Sequence, residues 1–156
     1  KNKVKLIEII EEIFGYFSNK GLSGDILNIL LKGLQENVFI VREVSGRCLA
    51  QILVKIHSDD VNEKVISVIS TLKKSINYQM RKTVANFCLY YLNVQNNNDQ
   101  FISSYIVPIL NDDLLKDKTN NMKVICCKIL KLLICKSKSY ENKYTGVLES
   151  LTKDIS

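Results

Sequence analysis

The sequence predicts an all-α fold, a right-handed α-solenoid of stacked antiparallel helical hairpins with about three repeats and a flanking helix at each end. Three observations lead there. Apolar residues recur at the three-to-four spacing of an amphipathic helix over long segments. A basic residue early in a helix returns at Arg42, Arg81 and Lys123, with separations of 39 and 42 residues. The 156 residues hold one Pro and six Gly, too few for a turn-dense β fold. At 46% hydrophobic and 24% charged, the composition also excludes wholesale disorder.

The elements follow in order. Leu6, Ile9, Ile10, Ile13, Phe14 and Phe17 line one face of a first helix that Gly21 stops. Ser23 or Asp25 caps a second, with Ile26, Leu27, Leu30, Leu31 and Leu34 along one side. Glu36-Asn37 breaks the pattern, and a third helix runs from about Val38 to Ile56. Asp59-Asp60 caps a fourth, carrying Val61, Val65, Val68, Ile69 and Leu72. After Ile76-Asn77 a fifth runs from Tyr78 to about Leu92, followed by a polar linker, Asn93 to Asp99. The sixth spans Ile102 to Leu115, interrupted or re-angled around Pro108. The seventh covers Asn120 to Ile134. Ser137 and Ser139 mark a break before a last helix, read from Tyr144 to Ile155 and extended in outline over 141–155.

Counting forward from each repeated basic residue, position +3 is Ser45, Val84 and Cys126; position +6 is Cys48, Phe87 and Ile129; position +7 is Leu49, Cys88 and Leu130. Position +10 is Ile52, Tyr91 and Leu133, and position +11 is Leu53, Leu92 and Ile134. At 100° per residue these cluster on one side of a helix. A lone hairpin cannot bury both its apolar faces, whereas stacked hairpins share a continuous core. The expectation is one domain over 1–156, with repeats at about 22–57, 60–93 and 100–136 and flanking helices at 3–18 and 141–155.

The stretch from Leu27 to Arg42, with its apolar helix, its Glu36-Asn37 turn and then Val41-Arg42, resembles the HEAT repeat family and, more loosely, armadillo-type repeats. Asn77, Met80 and Arg81 supply a second copy, and Pro108, Asn120-Asn121, Met122 and Lys123 a third. The resemblance covers most of Asp25 to Ile134. It implies that the repeated Arg bonds its turn and the neighbouring repeat. Lys123 lacks the planar fork, so that bond should be weaker in the third copy. The resemblance also implies that second helices line a concave face.

On that face Arg47, Asn86, Lys128 and Lys131 would form a ladder suited to an acidic or mixed protein surface. Val54, Leu89, Val124 and Leu132 fall on the same outward side, where a neighbouring repeat or a partner would cover them. The expected function is a non-catalytic protein–protein interaction scaffold, a fragment or domain of a larger helical-repeat protein, since the chain opens on Lys1.

One alternative is a tubulin-binding segment, because HEAT-repeat arrays called TOG domains bind tubulin through turn residues, and Phe39, Lys116 and Lys118 resemble that use. Another is nucleic-acid binding. The excess charge of +6 lies wholly between Lys116 and Lys143, where eight lysines face Asp117 and Glu141. The chain has only three arginines and lacks the aromatic-interleaved basic stripe of single-strand binders, which argues against that reading.

No catalytic residue, cofactor or metal site is expected. There is a single histidine, His57, read as a helix-terminal residue beside Ser58, Asp59 and Asp60. Gly-rich phosphate loops and nucleophile elbows are absent from the sequence. The five cysteines, Cys48, Cys88, Cys126, Cys127 and Cys135, are odd in number and mostly set in apolar runs, as buried small hydrophobes rather than a disulfide framework. No run of 18 apolar residues, N-glycosylation site or signal peptide is present, so an intracellular setting, cytoplasmic or nuclear, is expected.

Overall fold

The computed structural model describes residues 1–16 and 24–156, and among these every regular element is helical. The helices are α1 (Asn2–Tyr16), α2 (Gly24–Gly33), α3 (Phe39–Lys55), α4 (Asp59–Leu72), α5 (Tyr78–Val94), α6 (Val107–Asp112), α7 (Asn120–Ile134) and α8 (Lys138–Ile155). Phe17, Gly21 and Ser23, expected to line, stop and cap the first helices, lie outside the described residues. The chain divides into two compact units, Lys1–Tyr91 and Leu92–Ser156.

In the first unit α3 is the central helix, packed against both α1 and α2. Its apolar stripe is faint because it is buried on several sides, from Val41, Val44 and Cys48 round to Leu49, Ala50, Ile52 and Leu53. Gly33 at the end of α2 permits the closest approach: a Cβ there would stand 2.0 Å from Ser45 Oγ of α3. α3 and α5 run parallel, tied by Arg42 to Thr83 and by Glu43 to Asn86 and Tyr90.

The two helix pairs in this unit repeat with a fixed offset. α3 and α5 begin at Phe39 and Tyr78, 39 residues apart, and end at Lys55 and Val94, again 39 apart. The turns before them carry the same backbone bonds: Leu34 N–H to Leu30 O and Glu36 N–H to Gly33 O, then Lys73 N–H to Ile69 O and Ser75 N–H to Leu72 O. The buried positions coincide as well, at Ser45 and Val84, Cys48 and Phe87, Leu49 and Cys88, and Ile52 and Tyr91.

The second unit begins with the polar linker, whose Asp99 carboxylate accepts from Ile102 N–H at 2.9 Å and so caps the next helical stretch. A π-helical turn, Ile102–Ile106, continues directly into α6. Val107 N–H reaches back five residues to Ile102 O. Pro108, in the first turn of α6, has no N–H to give Ser104 O, and the wider turn before it makes room for the ring. The irregularity expected around Pro108 therefore lies on its N-terminal side. α6 runs to Asp112 and a 3-10 turn, Leu114–Lys116, packs on α7, which in turn packs along α8.

Two helix starts differ from the sequence reading. Ser58, one residue before the Asp59-Asp60 pair, caps α4 by accepting from Val61 N–H, while both aspartates sit in the first turn where the helix dipole favours them. α8 begins at Lys138, because Ser137 is its cap and accepts from Tyr140 N–H at 3.2 Å.

Candidate functional site

Arg42 sits near the start of α3 and is only 2% exposed. Its Nη1 donates to Glu36 O at 2.7 Å and Asn37 O at 2.8 Å, and its Nε donates to Thr83 Oγ1 at 2.9 Å. Arg81 repeats the first half of this arrangement, with Nη1 donating to Ser75 O at 3.0 Å and Ile76 O at 2.9 Å. Each guanidinium thus satisfies carbonyls that the turn leaves without helical donors. Lys123, at the third position, instead pairs with Asp154 of α8.

With the turns clamped, their outer residues are pushed into solvent. Val38, Phe39 and Ile40 are 54%, 46% and 50% exposed, and Ile76 is fully exposed. Phe39 lies beside α5: the Lys82 ammonium is 5.5 Å from its ring centroid, and the Arg42 guanidinium is 5.9 Å from it on the α3 side. The result is an apolar ridge with a cationic rim at the N-terminal ends of α3 and α5. Of its members the sequence singled out Phe39; Val38, Ile40, Ile76 and Lys82 were missed. The available signal was a large apolar residue beside each helix-breaking Asn, Val38 after Asn37 and Ile76 before Asn77.

The expected basic ladder begins in the first unit with Arg47 and Asn86. Arg47 is held by Glu11 of α1 in a two-pronged pair, Nε to Oε1 and Nη2 to Oε2 at 3.2 Å each. The Glu11 hydrogen bond raises the Arg47 pKa above its ordinary value despite partial burial. Asn86 donates to Glu43 at 2.7 Å, and Tyr90 donates its hydroxyl to the same carboxylate. Burial first, then Glu43, pushes the Tyr90 pKa up. This row is therefore satisfied internally by carboxylates from the adjacent helix. Val54 and Leu89 are half-buried.

In the second unit Lys128 and Lys131 are exposed on α7, and Lys116 and Lys118 are exposed before it. Val124 is 39% exposed and Leu132 half-buried. The rest of the basic cluster is partly engaged. Lys136 donates to Gln95 O, with its pKa lowered by burial. Lys138 pairs with Glu141 at 2.7 Å, and Lys143 lies 5.1 Å from the Tyr144 ring centroid. Tyr140 donates to Asn98 Oδ1 at 3.2 Å, so Lys136 and Tyr140 together hold the polar linker in place.

Among the described residues no group of three or more His, Cys, Asp or Glu converges as a metal-binding set, and no helix is long and apolar enough to cross a membrane. His57 is exposed between α3 and α4. All five cysteines are free thiols; Cys48, Cys88 and Cys126 are buried, Cys127 is half-buried and Cys135 is exposed. Burial holds the Cys48 and Cys126 thiols up at about 12, the opposite of an activated nucleophile.

These features define a class: an all-helical domain that offers surfaces rather than an obvious reaction centre. No protein-family model matches the chain, and neither a curated protein nor a solved structure matches it.

Proposed function

We propose that the chain is a HEAT-type helical-repeat segment, stacked as a right-handed solenoid, that serves as a non-catalytic interaction scaffold inside the cell, in cytoplasm or nucleus. Its partner is a protein with an acidic or mixed surface, and the ridge of Val38, Phe39, Ile40 and Ile76 is the primary contact. One observation carries this reading: two turns 39 residues apart, braced by Arg42 and Arg81, hold large apolar side chains in water beside Lys82. A rigid backbone lowers the ordering cost of binding, and apolar anchors with a charged rim are the usual anatomy of a protein interface. The exposed lysines Lys116, Lys118, Lys128 and Lys131 offer an acidic partner a further attractive field in the second unit. The free cysteines agree with a reducing compartment.

The test is site-specific photocrosslinking in the source cell from positions 39 and 76, with exposed position 60 on α4 as control. Positions 39 and 76 should trap the same protein, position 60 should not, and Ile76→Ser in the position-39 probe and Phe39→Ala in the position-76 probe should each abolish capture while leaving the fold intact. Different or absent adducts at 39 and 76 would overturn the reading. The tubulin version is favoured specifically by the exposed aromatic Phe39 at the start of α3, directly after the turn. It predicts co-sedimentation with tubulin that Phe39→Ala and Lys82→Glu weaken and added salt diminishes.

A further inference from the structure

Helices α3 and α5 are offset by 39 residues, and α1 precedes α3 and packs against it. A step of 39 residues back along the sequence from Arg42 falls on Lys3, and from Ser45, Cys48 and Ile52 of α3 on Leu6, Ile9 and Ile13. The α3 residues are fully buried, on the side where Gly33 of α2 presses against Ser45. On α1 the same positions are 47%, 51% and 49% exposed. Ile29 of α2 is 38% exposed and shares the wall of a cavity of about 240 Å³ with Leu6. The α1 strip is thus an apolar face left open to water.

Charge along α1 says what would cover it. At 100° per residue Lys1, Lys5, Glu8 and Glu12 share the outer flank of the strip, with both lysines before both glutamates. All four are exposed. A parallel copy of this helix would set lysine against lysine. An antiparallel copy sets Lys5 opposite Glu12 and Glu12 opposite Lys5, and antiparallel is also the direction in which α2, after a five-residue turn, lies on α3.

We infer that the Leu6–Ile9–Ile13 strip is a self-association surface, on which α1 of a second copy packs antiparallel about a twofold axis near Ile9. Each copy covers the other's strip, in an isologous contact. The strip adjoins the turn ridge, because its flanking Lys1, Lys5 and Glu8 line one hollow with Val38 and Ile40.

Sedimentation equilibrium on the 156-residue chain tests this. The strip is small, so a reversible dimer with a dissociation constant in the micromolar range, on the order of 10 μM, is expected. Ile9→Glu and, separately, Leu6→Gln should each weaken it at least about tenfold, with unchanged helical circular dichroism because both side chains already face solvent. Lys5→Glu should weaken it, and adding Glu12→Lys should restore it. A chain that stays monomeric to roughly millimolar concentration, a dimer indifferent to Ile9→Glu, or a charge reversal that fails to rescue would overturn the inference. So would a monomer whose strip instead binds a synthetic peptide with the sequence of residues 59–72, since the face would then take an amphipathic first helix in place of a second copy.

Discussion

Arg42 and Arg81 close the same turn 39 residues apart. Each places Nη1 between the carbonyls six and five positions before it, at 2.7 and 2.8 Å for Arg42 and 3.0 and 2.9 Å for Arg81. Two identical clamps on an identical backbone make the offset a property of the chain's construction rather than of helix spacing alone. The geometry needs a donor that reaches two carbonyls at once while the rest of its fork is free to turn elsewhere, which is what arginine offers and lysine does not. Lys123, paired with Asp154, illustrates the difference.

The Arg42 fork also joins α3 to α5. Thr83, buried in α5, accepts from Arg42 Nε and donates to Gln79 O at 3.0 Å. Thr83→Val keeps the shape but leaves a buried N–H without its acceptor, and should cost about 1–3 kcal/mol in urea unfolding. A double-mutant cycle with Arg42→Ala should return a coupling of about 1 kcal/mol; strict additivity would remove this link between the two helix pairs.

Gly33 and Ser45 set the spacing of α2 on α3. A Cβ on Gly33 would meet Ser45 Oγ at 2.0 Å and Ser45 Cβ at 2.9 Å, so Gly33→Ala should lose about 1–3 kcal/mol. Ser45 Oγ is itself buried without a hydrogen-bond partner. Ser45→Ala removes that burden and should be neutral or stabilising by about 1 kcal/mol, read as a shift in unfolding midpoint at constant slope. A clear loss of stability in Ser45→Ala would show that the hydroxyl is bonded.

Thiol accessibility follows burial. In native protein an uncharged alkylating reagent should modify Cys135 first and Cys127 more slowly, leaving Cys48, Cys88 and Cys126 unreacted. Moving to pH 9 should not expose Cys48 or Cys126, whose thiols burial keeps up at about 12. In denaturant all five should react. Mass spectrometry of peptides after timed labelling provides the readout, and early loss of Cys126 would contradict the packing of α7.

Much of the helix order was legible in sequence because the 3.6-residue period is strong where one face is buried, as in α7, which runs over Asn120–Ile134 as expected. The start of α8 was not, because its first turn is polar and mostly exposed and Ser137 reads equally as a break or a cap. At the candidate site the exposed Phe39 was legible, being apolar two residues after the helix-breaking Asn37. The pairing of Arg47 with Glu11 and of Asn86 with Glu43 was not: the partners lie 36 and 43 residues apart and meet only once α1, α3 and α5 are laid side by side.

The repeated clamp is tested most directly by urea unfolding of Arg42→Ala and Arg81→Ala side by side. The buried Arg42, which spans turn and neighbouring helix, should cost about 3 kcal/mol, and Arg81, more open, should cost about 1–2 kcal/mol. Both variants unfolding within about 0.5 kcal/mol of wild type would contradict the account, because the two turns would then hold their shape without the arginines.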